Sequence, residues 1–262
     1  GVVTIGAQDG LKTVDAFAAG PGAWRRLTLP EMALGRSAVG VAVAQDVLVV
    51  AGGLTGNTGE PTCSCERCDL LSAEPRWEPL PDLPQPRVAP QCVVMKDEVL
   101  VVGGGVPNVG FTGSVESFRV TDAAAGWTRR QRGLEVPRHA FGCCLASKGG
   151  RMYLVACGGH NREGALTSCE TVPLDGGPQD LLIPDLPEPR MGCSAAVITA
   201  AAPHLGIRFP CEWLGVLGGS GAAGSTASGI VLALQLSAIR NGWQRDAFPP
   251  VGKGRCFAAV AV

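Results

Sequence analysis

An internal repeat is the feature that most constrains how this chain can fold. An apolar run that ends in two glycines occurs four times, as "VLVVAGG", "VLVVGGG", "YLVACGG" and "LGVLGGS", and a weaker copy, "VVTIGA", stands near Gly1. Four tryptophans, Trp24, Trp77, Trp127 and Trp243, follow in most copies. A period of about 50 residues indicates an architecture in which each copy is one supersecondary unit. The signal that recurs most regularly is an arginine after proline or glycine, at Arg36, Arg87, Arg138, Arg190 and Arg255.

The composition of each copy favours β-strands. The chain has 37 glycines and 20 prolines among 262 residues, and these supply turns between short apolar runs. The run from Val47 to Ala51 is apolar at successive positions, which is typical of a strand buried on both faces. Each copy has room for four short strands, here named a to d. The sequence therefore predicts an all-β fold.

Charge and hydropathy exclude several classes of protein. The formal net charge is −1 and 46% of the residues are hydrophobic, so the chain is neither a disordered segment nor a strongly basic nucleic-acid binder. No stretch approaches the roughly 18 apolar residues of a membrane-spanning helix. We therefore expect no nucleic-acid partner and no membrane partner.

The ordered signals resemble the kelch repeat over essentially the whole chain. They are Pro-Arg, an apolar strand, a glycine pair, an acid near an aromatic residue as in "SVESF", and a tryptophan. The resemblance implies a single β-propeller with blades of four strands each. The number of copies gives five blades, which form either the whole ring or a fragment of a larger one. The C-terminal "GKGRCFAAVAV" matches strand a of the other copies, so it is expected to complete the first blade and close the ring. The expected blades are 1–30 plus 251–262, 31–80, 81–131, 132–184 and 185–250.

A binding face follows from strand direction. Because strands alternate in direction within a blade, the d-to-a and b-to-c connections lie on the same side. We expect the repeated arginines to form a ring around the channel mouth on that side, where kelch substrate receptors hold acidic peptides. Guanidinium groups suit carboxylates on a partner, although the same arginines could instead bind loop carbonyls within the fold. The predicted partner-binding residues are Arg36, Arg87, Arg138, Arg190, Arg255, Asn57, Asn108, His160, Asn161, Arg162 and Ser220.

The function expected on this basis is that of a protein-interaction module, such as a ubiquitin-ligase substrate receptor or a scaffold, and not an enzyme. Its partner would be a protein or peptide that can present acidic groups. The alternatives are a kelch-type enzyme that acts on a small sugar or acid, similar to sialic acid epimerases, and a purely structural propeller. Replacing Arg87 and Arg138 by alanine is expected to abolish binding and to leave the melting temperature nearly unchanged. The sequence leaves the oligomeric state open.

Other chemistry-bearing residues point to structure. Cys63, Cys65 and Cys68 lack a second cysteine pair at zinc-finger spacing, so we expect no metal and no cofactor. Several of the 11 cysteines lie in apolar runs, which favours a reducing compartment, cytoplasmic or nuclear. One carboxylate recurs on strand c in four copies, and such repetition indicates a shared structural hydrogen bond. These carboxylates are Asp15, Glu66, Glu116 and Glu170.

Overall fold

The computed structural model describes residues 2–5, 12–20, 23–56, 58–221, 226 and 228–250. These residues fall into two compact units, one up to His139 and one from Ala140 onward, and each unit is described by itself. Two predicted site residues, Asn57 and Arg255, lie outside the described residues. The segment 251–262, expected to close the ring, lies outside them as well.

The described chain is all-β, as predicted, with 23 strands. In the first unit they are β1 (Val2–Ile5), β2 (Val14–Gly20), β3 (Ala23–Thr28), β4 (Arg36–Ser37), β5 (Gly40–Ala44), β6 (Val47–Ala51), β7 (Leu54–Thr55), β8 (Cys65–Asp69), β9 (Trp77–Leu80), β10 (Gln91–Met95), β11 (Glu98–Val102), β12 (Gly105–Val106), β13 (Gly110–Phe111), β14 (Val115–Arg119) and β15 (Thr128–Arg129). In the second unit they are β16 (Gly142–Lys148), β17 (Arg151–Cys157), β18 (His160–Asn161), β19 (Gly164–Ala165), β20 (Cys169–Pro173), β21 (Met191–Ala202), β22 (Ile207–Ser220) and β23 (Leu232–Gln235). Three short 3-10 helices span Ala123–Ala125, Pro203–Leu205 and Leu236–Asn241.

The first unit contains three antiparallel sheets that follow the repeat. The second and third repeats each form a four-stranded sheet, in the orders β5-β6-β8-β9 and β10-β11-β14-β15. These are strands a to d in sequence order, as predicted. The first repeat forms the three-stranded sheet β1-β2-β3, in which β1 occupies the place of strand b.

The second unit departs from the prediction of four strands in each repeat. Its two main sheets have three strands, in the orders β16-β17-β20 and β21-β22-β23. In the fourth repeat the segment where strand d is expected carries Gly176, Gly177, Pro178 and Pro184, and prolines there have no N–H to donate to a ladder. In the fifth repeat only the bridge between Ala233 and Gln244 stands in that place.

The core forms between neighbouring sheets because strand b of the second to fifth repeats is buried on both faces. In β6, Val49 and Ala51 pack into a cluster that includes Val99 and Val101 of the next sheet. Leu48 and Val50 of the same strand face the opposite way, into a cluster that includes Met32. The successive apolar positions of strand b therefore have the cause inferred from the sequence.

The recurring tryptophans hold the last strand of a sheet to the segment that enters it. The indole N–H of Trp77 donates to the carbonyl of Pro30 at 2.8 Å, and that of Trp127 donates to the carbonyl of Pro81 at 2.7 Å. Trp243 makes the same bond to Pro184 at 2.9 Å. A side chain that is half-buried and bonded at its polar tip stabilises through both its apolar area and its N–H.

Candidate functional site

The loop after each glycine pair lies beside the arginine segment that enters the same sheet. Strand β4, which contains Arg36, pairs with β7 just after the glycine pair of that repeat. In the third repeat Val88 forms the equivalent bridge with Gly105. The d-to-a and b-to-c connections of these repeats therefore share one side of their sheets, as predicted.

The glycine pairs need backbone conformations that favour glycine. Gly52 and Gly53 have φ of 66° and 98°, in the left-handed region. This conformation turns the Gly53 N–H toward the carbonyl of Arg87, at 2.7 Å, at the start of the following repeat. A Cβ on Gly52 would lie 2.7 Å from that same carbonyl oxygen. The glycine pair thus fixes both the loop and its connection to the following repeat.

The repeated arginines occupy the interior of this region. Arg36 donates from Nη1 to the carbonyls of Gly52 (3.1 Å) and Ser64 (2.7 Å), and from Nη2 to Glu66 Oε1 at 2.6 Å. Arg87 repeats the pattern, with Nη1 on Gly103 O and Ser114 O and with Nη2 on Glu116 Oε1 at 2.9 Å.

The strand-c carboxylates Glu66 and Glu116 are the buried partners of these arginines. This confirms, for these two positions, the structural hydrogen bond inferred from their repetition. The ion pair stabilises the turn because each guanidinium joins two backbone carbonyls to a buried carboxylate.

The fifth repeat keeps the arginine and replaces the lost strand-c acid. Arg190 Nη1 donates to the carbonyls of Gly218 (2.8 Å) and Ile230 (2.9 Å), the positions equivalent to those used by Arg87. Its Nη2 donates to Glu188 Oε1 at 2.6 Å, and Glu188 Oε2 accepts from Arg245 at 3.0 Å. A carboxylate two residues before the arginine therefore neutralises it. The short motif "PEPR" was the sequence signal for this substitution.

The prediction that these arginines meet a partner is corrected by their burial. Arg36, Arg87 and Arg138 are 0% exposed and Arg190 is 1% exposed. Burial lowers the pKa of Arg87, and the adjacent Glu116 opposes that effect. These guanidinium groups are used inside the fold, because a buried charge needs a partner and hydrogen bonds. Arg36, Arg87 and Arg190 agree with the alternative given in the sequence analysis, in which the arginines bind loop carbonyls within the fold.

The remaining predicted residues divide into exposed and buried ones. Asn108 is exposed at the tip of the β12–β13 hairpin, with φ of 60°. In the second unit, Arg162 is exposed in the β18–β19 hairpin, and Asn161 Oδ1 there accepts the backbone N–H of Glu163 at 2.8 Å. His160 is half-buried. Ser220 is only 6% exposed, so little of its surface is open to a partner.

The cysteines near Glu66 do not share one side of their strand. Cys65 packs into the cluster formed with the next sheet, and Cys68 packs into the cluster on the opposite face. The Cys63 thiol lies 3.5 Å from Asp82. Because Cys65 and Cys68 point to opposite faces, they cannot bind one metal ion together. Burial raises the pKa of Cys65 to about 12, which keeps it a thiol.

A polar cleft on the same side of the third repeat was missed from the sequence. It has a volume of about 230 Å³ and lies where β14 begins and β15 ends. Leu134 N donates to Gly113 O at 2.7 Å, and this hydrogen bond joins the two segments that line the cleft. Two arginines, two hydroxyl groups and an amide line it together with small residues: Thr112, Gly113, Ser114, Arg129, Arg130, Gln131, Gly133 and Leu134.

The cleft carries positive charge, and one of its two arginines is exposed to solvent. Arg130 is paired with Glu98, but Arg129 is exposed at the end of β15. The run "TRRQR" from Thr128 to Arg132 was the sequence signal that could have drawn attention to it. Guanidinium, hydroxyl and amide groups together suit a small molecule that carries hydroxyls or a carboxylate.

Comparison with solved structures shows that the chain shares its fold with YjhT. The match covers 87% of this chain and 70% of YjhT, with a TM-score of 0.62 and 14% sequence identity. It supports a kelch-like β-propeller architecture. No family model matches the chain.

The match also corrects one expectation drawn from the sequence. The prediction that the chain is not an enzyme is corrected, because the fold that it shares with YjhT gives no ground for excluding catalysis. Within the described residues, no helix is long and apolar enough to cross a membrane.

Proposed function

We propose that this chain is a kelch-type β-propeller that binds a small hydroxylated or acidic molecule, of the sugar-acid class, in the polar cleft of the third repeat. The observation that carries the proposal is the cleft itself, with Arg129, Arg130, Ser114, Thr112 and Gln131 along its walls. An enzymatic step on that ligand belongs to the same proposal.

Two features of the cleft support a small anionic ligand over an acidic peptide. Its volume of about 230 Å³ is close to the lower end of small-molecule sites. The acidic-peptide hypothesis relied on a ring of accessible guanidinium groups, and four of those arginines are buried. The exposed Arg129 is the group that would meet a carboxylate, in a charge-assisted hydrogen bond.

The proposed architecture is one ring of five blades closed by residues 251–262. It is supported by the order of strands in the first repeat, where β1 stands at the edge of its sheet and strand a is missing from the described residues.

The test is saturation-transfer NMR with glucuronic acid and N-acetylneuraminic acid, and with glucose as the neutral probe. Arg129→Ala should weaken binding of the acids about tenfold or more, the loss expected for one charge-assisted hydrogen bond. Arg119→Ala is the matched control, because Arg119 is also exposed on the same sheet, pairs only loosely with Asp97 at 3.7 Å and does not line the cleft. The same spectra report any conversion of the ligand. Equal binding by both variants, or none by the wild type, would remove the cleft as the site.

A second candidate is a protein-interaction module, as in a substrate receptor or a scaffold. The observation that favours it is the tip of the β12–β13 hairpin, where Val109 is 61% exposed beside Asn108. Exposed apolar residues on rigid hairpins are suited to protein contacts. Val109→Asp should then abolish capture of a partner without changing binding of the small acids. The two candidates are distinguished because Arg129→Ala should have the opposite pattern.

A further inference from the structure

The second unit places two cysteines directly opposite each other on neighbouring strands. Cys157 ends β17 and Cys169 begins β20, and the two are register partners. Both side chains belong to the same apolar cluster, so they lie on the same face of the sheet. The two side chains therefore face each other across the ladder.

The hydrogen bonds around this pair define its geometry. Gly158 N donates to Ser168 O at 3.1 Å, which makes the adjacent residues a hydrogen-bonded pair. Cys169 N donates instead to Asp185 Oδ1, at 3.1 Å. Cys157 and Cys169 are therefore a non-hydrogen-bonded pair. In such pairs the Cα atoms are about 4.5 Å apart, within the range that a disulfide spans.

Comparison with the other repeats shows that packing does not require these cysteines. The equivalent register partners are Ala51 and Cys65 in the second repeat, and Val102 and Val115 in the third. Of these three repeats, only the fourth has a cysteine at both positions. Alanine at the first site and valine at the second are thus compatible with the fold.

We propose that Cys157 and Cys169 form an oxidisable dithiol that closes into a cross-strand disulfide when the protein meets a peroxide. Cys169 is half-buried and is the thiol that the oxidant reaches, whereas Cys157 is 0% exposed. In the first step the Cys169 sulfur takes one oxygen atom from hydrogen peroxide, whose O–O bond breaks, giving the sulfenic acid and water. In the second step the Cys157 sulfur displaces the hydroxyl from the Cys169 sulfur. The S–O bond breaks, the S–S bond forms, and the hydroxyl leaves as water with the proton of Cys157.

The neighbouring thiols are poorer candidates for the first step. Cys144 and Cys193 lie in the same cluster, and burial raises their pKa to about 12 and about 11. Cys193 Sγ donates to the carbonyl oxygen of Cys157 at 3.5 Å. The neighbouring Cys169 thiol, followed by burial, raises the pKa of Cys157, so Cys157 stays protonated and does not react first with the peroxide.

The disulfide would act on the loop that it closes. Residues 158–168 lie between the two cysteines and carry the β18–β19 hairpin with His160, Asn161 and Arg162. A covalent link at the base of this hairpin restricts its fluctuations. Oxidation would therefore hold one of the exposed hairpins of the second unit in a fixed position.

Tryptic mapping tests the proposal on the full chain. Cleavage after Arg151, Arg162 and Arg190 puts Cys157 and Cys169 in separate peptides with one cysteine each. Hydrogen peroxide treatment, alkylation of the remaining thiols and mass spectrometry should give these two peptides linked, lighter by two hydrogen atoms. Amide exchange in residues 158–168 should slow in the oxidised protein and recover after reduction.

Three variants separate the pair from its neighbours. Cys157→Ala and Cys169→Val each introduce a residue that another repeat carries there, and each should abolish the linked peptide. Cys211→Ser is the matched control, because Cys211 is also half-buried in this unit but packs in a different cluster; it should leave the link unchanged. A Cys157–Cys193 link would overturn the proposal. So would over-oxidised Cys169 beside an alkylated Cys157, or full alkylation of both after peroxide.

Discussion

At the residue scale, the repeated arginines show how a charge can serve as a core residue. Arg87 is buried, yet its guanidinium meets two carbonyls, the Ser114 hydroxyl and the Glu116 carboxylate. The guanidinium neutralises the buried carboxylate and bonds to the backbone of the turn, so the ion pair stabilises the interior of the fold.

Arg87→Ala should therefore lower stability, contrary to the expectation that the melting temperature would stay nearly unchanged. It leaves the buried Glu116 carboxylate without its positive partner and removes a donor from two carbonyls, and we expect a loss of about 3–5 kcal/mol in the free energy of unfolding. Arg76→Ala, which removes an arginine that is 72% exposed and paired with Glu74, should change it by less than about 0.5 kcal/mol. Urea denaturation measures both. Equal stability of the two variants would show that the buried pair is dispensable.

Glu188 gives a pH dependence of known sign. Partial burial alone would raise its pKa, but hydrogen bonds from Arg190 and Arg245 outweigh this and hold the pKa below the usual 4.5. The lowered pKa means that its contribution is complete above about pH 4.5 and is lost as the pH falls through the folded-state pKa.

Glu188→Gln should consequently cost about 1 kcal/mol at neutral pH, because the amide oxygen still accepts from Arg190 but carries no charge. The difference from the wild type should shrink in acid, where the glutamic acid is also neutral. Urea denaturation at about pH 7 and about pH 3 measures the change. A difference that is constant with pH would contradict the assignment.

At the element scale, the glycine pair is the point where one repeat is fitted to the following one. Gly53 donates to the Arg87 carbonyl, and Gly104 makes the equivalent bond to Arg138 at 2.8 Å. Because the backbone approaches so closely, a Cβ on Gly53 would clash with the Ser37 carbonyl oxygen, and a Cβ on Gly104 would lie 3.3 Å from that of Val88. Substituting Gly104, which has φ of 110°, is therefore expected to lower stability.

Two glycines with nearly equal φ separate backbone strain from steric clash. Gly59 has φ of 68° and open space where a Cβ would lie, whereas a Cβ on Gly52, at φ of 66°, would meet the Arg87 carbonyl at 2.7 Å. Gly59→Ala should cost about 1 kcal/mol from the left-handed backbone alone. Gly52→Ala should cost about 1–3 kcal/mol more, because the following repeat must shift. Thermal and urea denaturation of both variants check this, and equal losses would show that the contact is soft.

At the scale of the whole molecule, the first repeat is the one left incomplete at strand a among the described residues. Its sheet presents β1 at the edge, where the second and third repeats have strand a. An unpaired edge exposes a row of hydrogen-bonding groups and favours association with other chains. A strand supplied by residues 251–262 would remove that edge.

Deletion of residues 251–262 should accordingly speed amide exchange in β1 and lower the melting temperature. The reason is that the ladder bonds of β1 on that side would be lost. Hydrogen exchange followed by mass spectrometry compares β1 with β11, a central strand that serves as the internal reference. Unchanged exchange in β1 would mean that another segment, or none, pairs there.

The sequence by itself determined the order of the elements. The period, the glycine pairs and the consecutive apolar positions sufficed for all-β sheets, for strands buried on both faces and for the side on which the hairpins lie. These properties follow from local rules, namely turn chemistry and the alternation of strand direction. Local glycines and prolines also account for the absence of strand d from the described sheet of the fourth repeat, but this absence was not predicted from the sequence.

Only the tertiary structure decided which charged groups remain on the surface. Whether an arginine faces solvent or carbonyls depends on segments distant in sequence: Arg36 binds Glu66, 30 residues away, and Arg87 binds Glu116, 29 residues away. The polar cleft likewise joins Thr112 and Ser114 to Arg129 and Arg130 across two strands. Burial of a charge is favourable only when its partners arrive together, and that depends on packing between elements rather than on any local pattern.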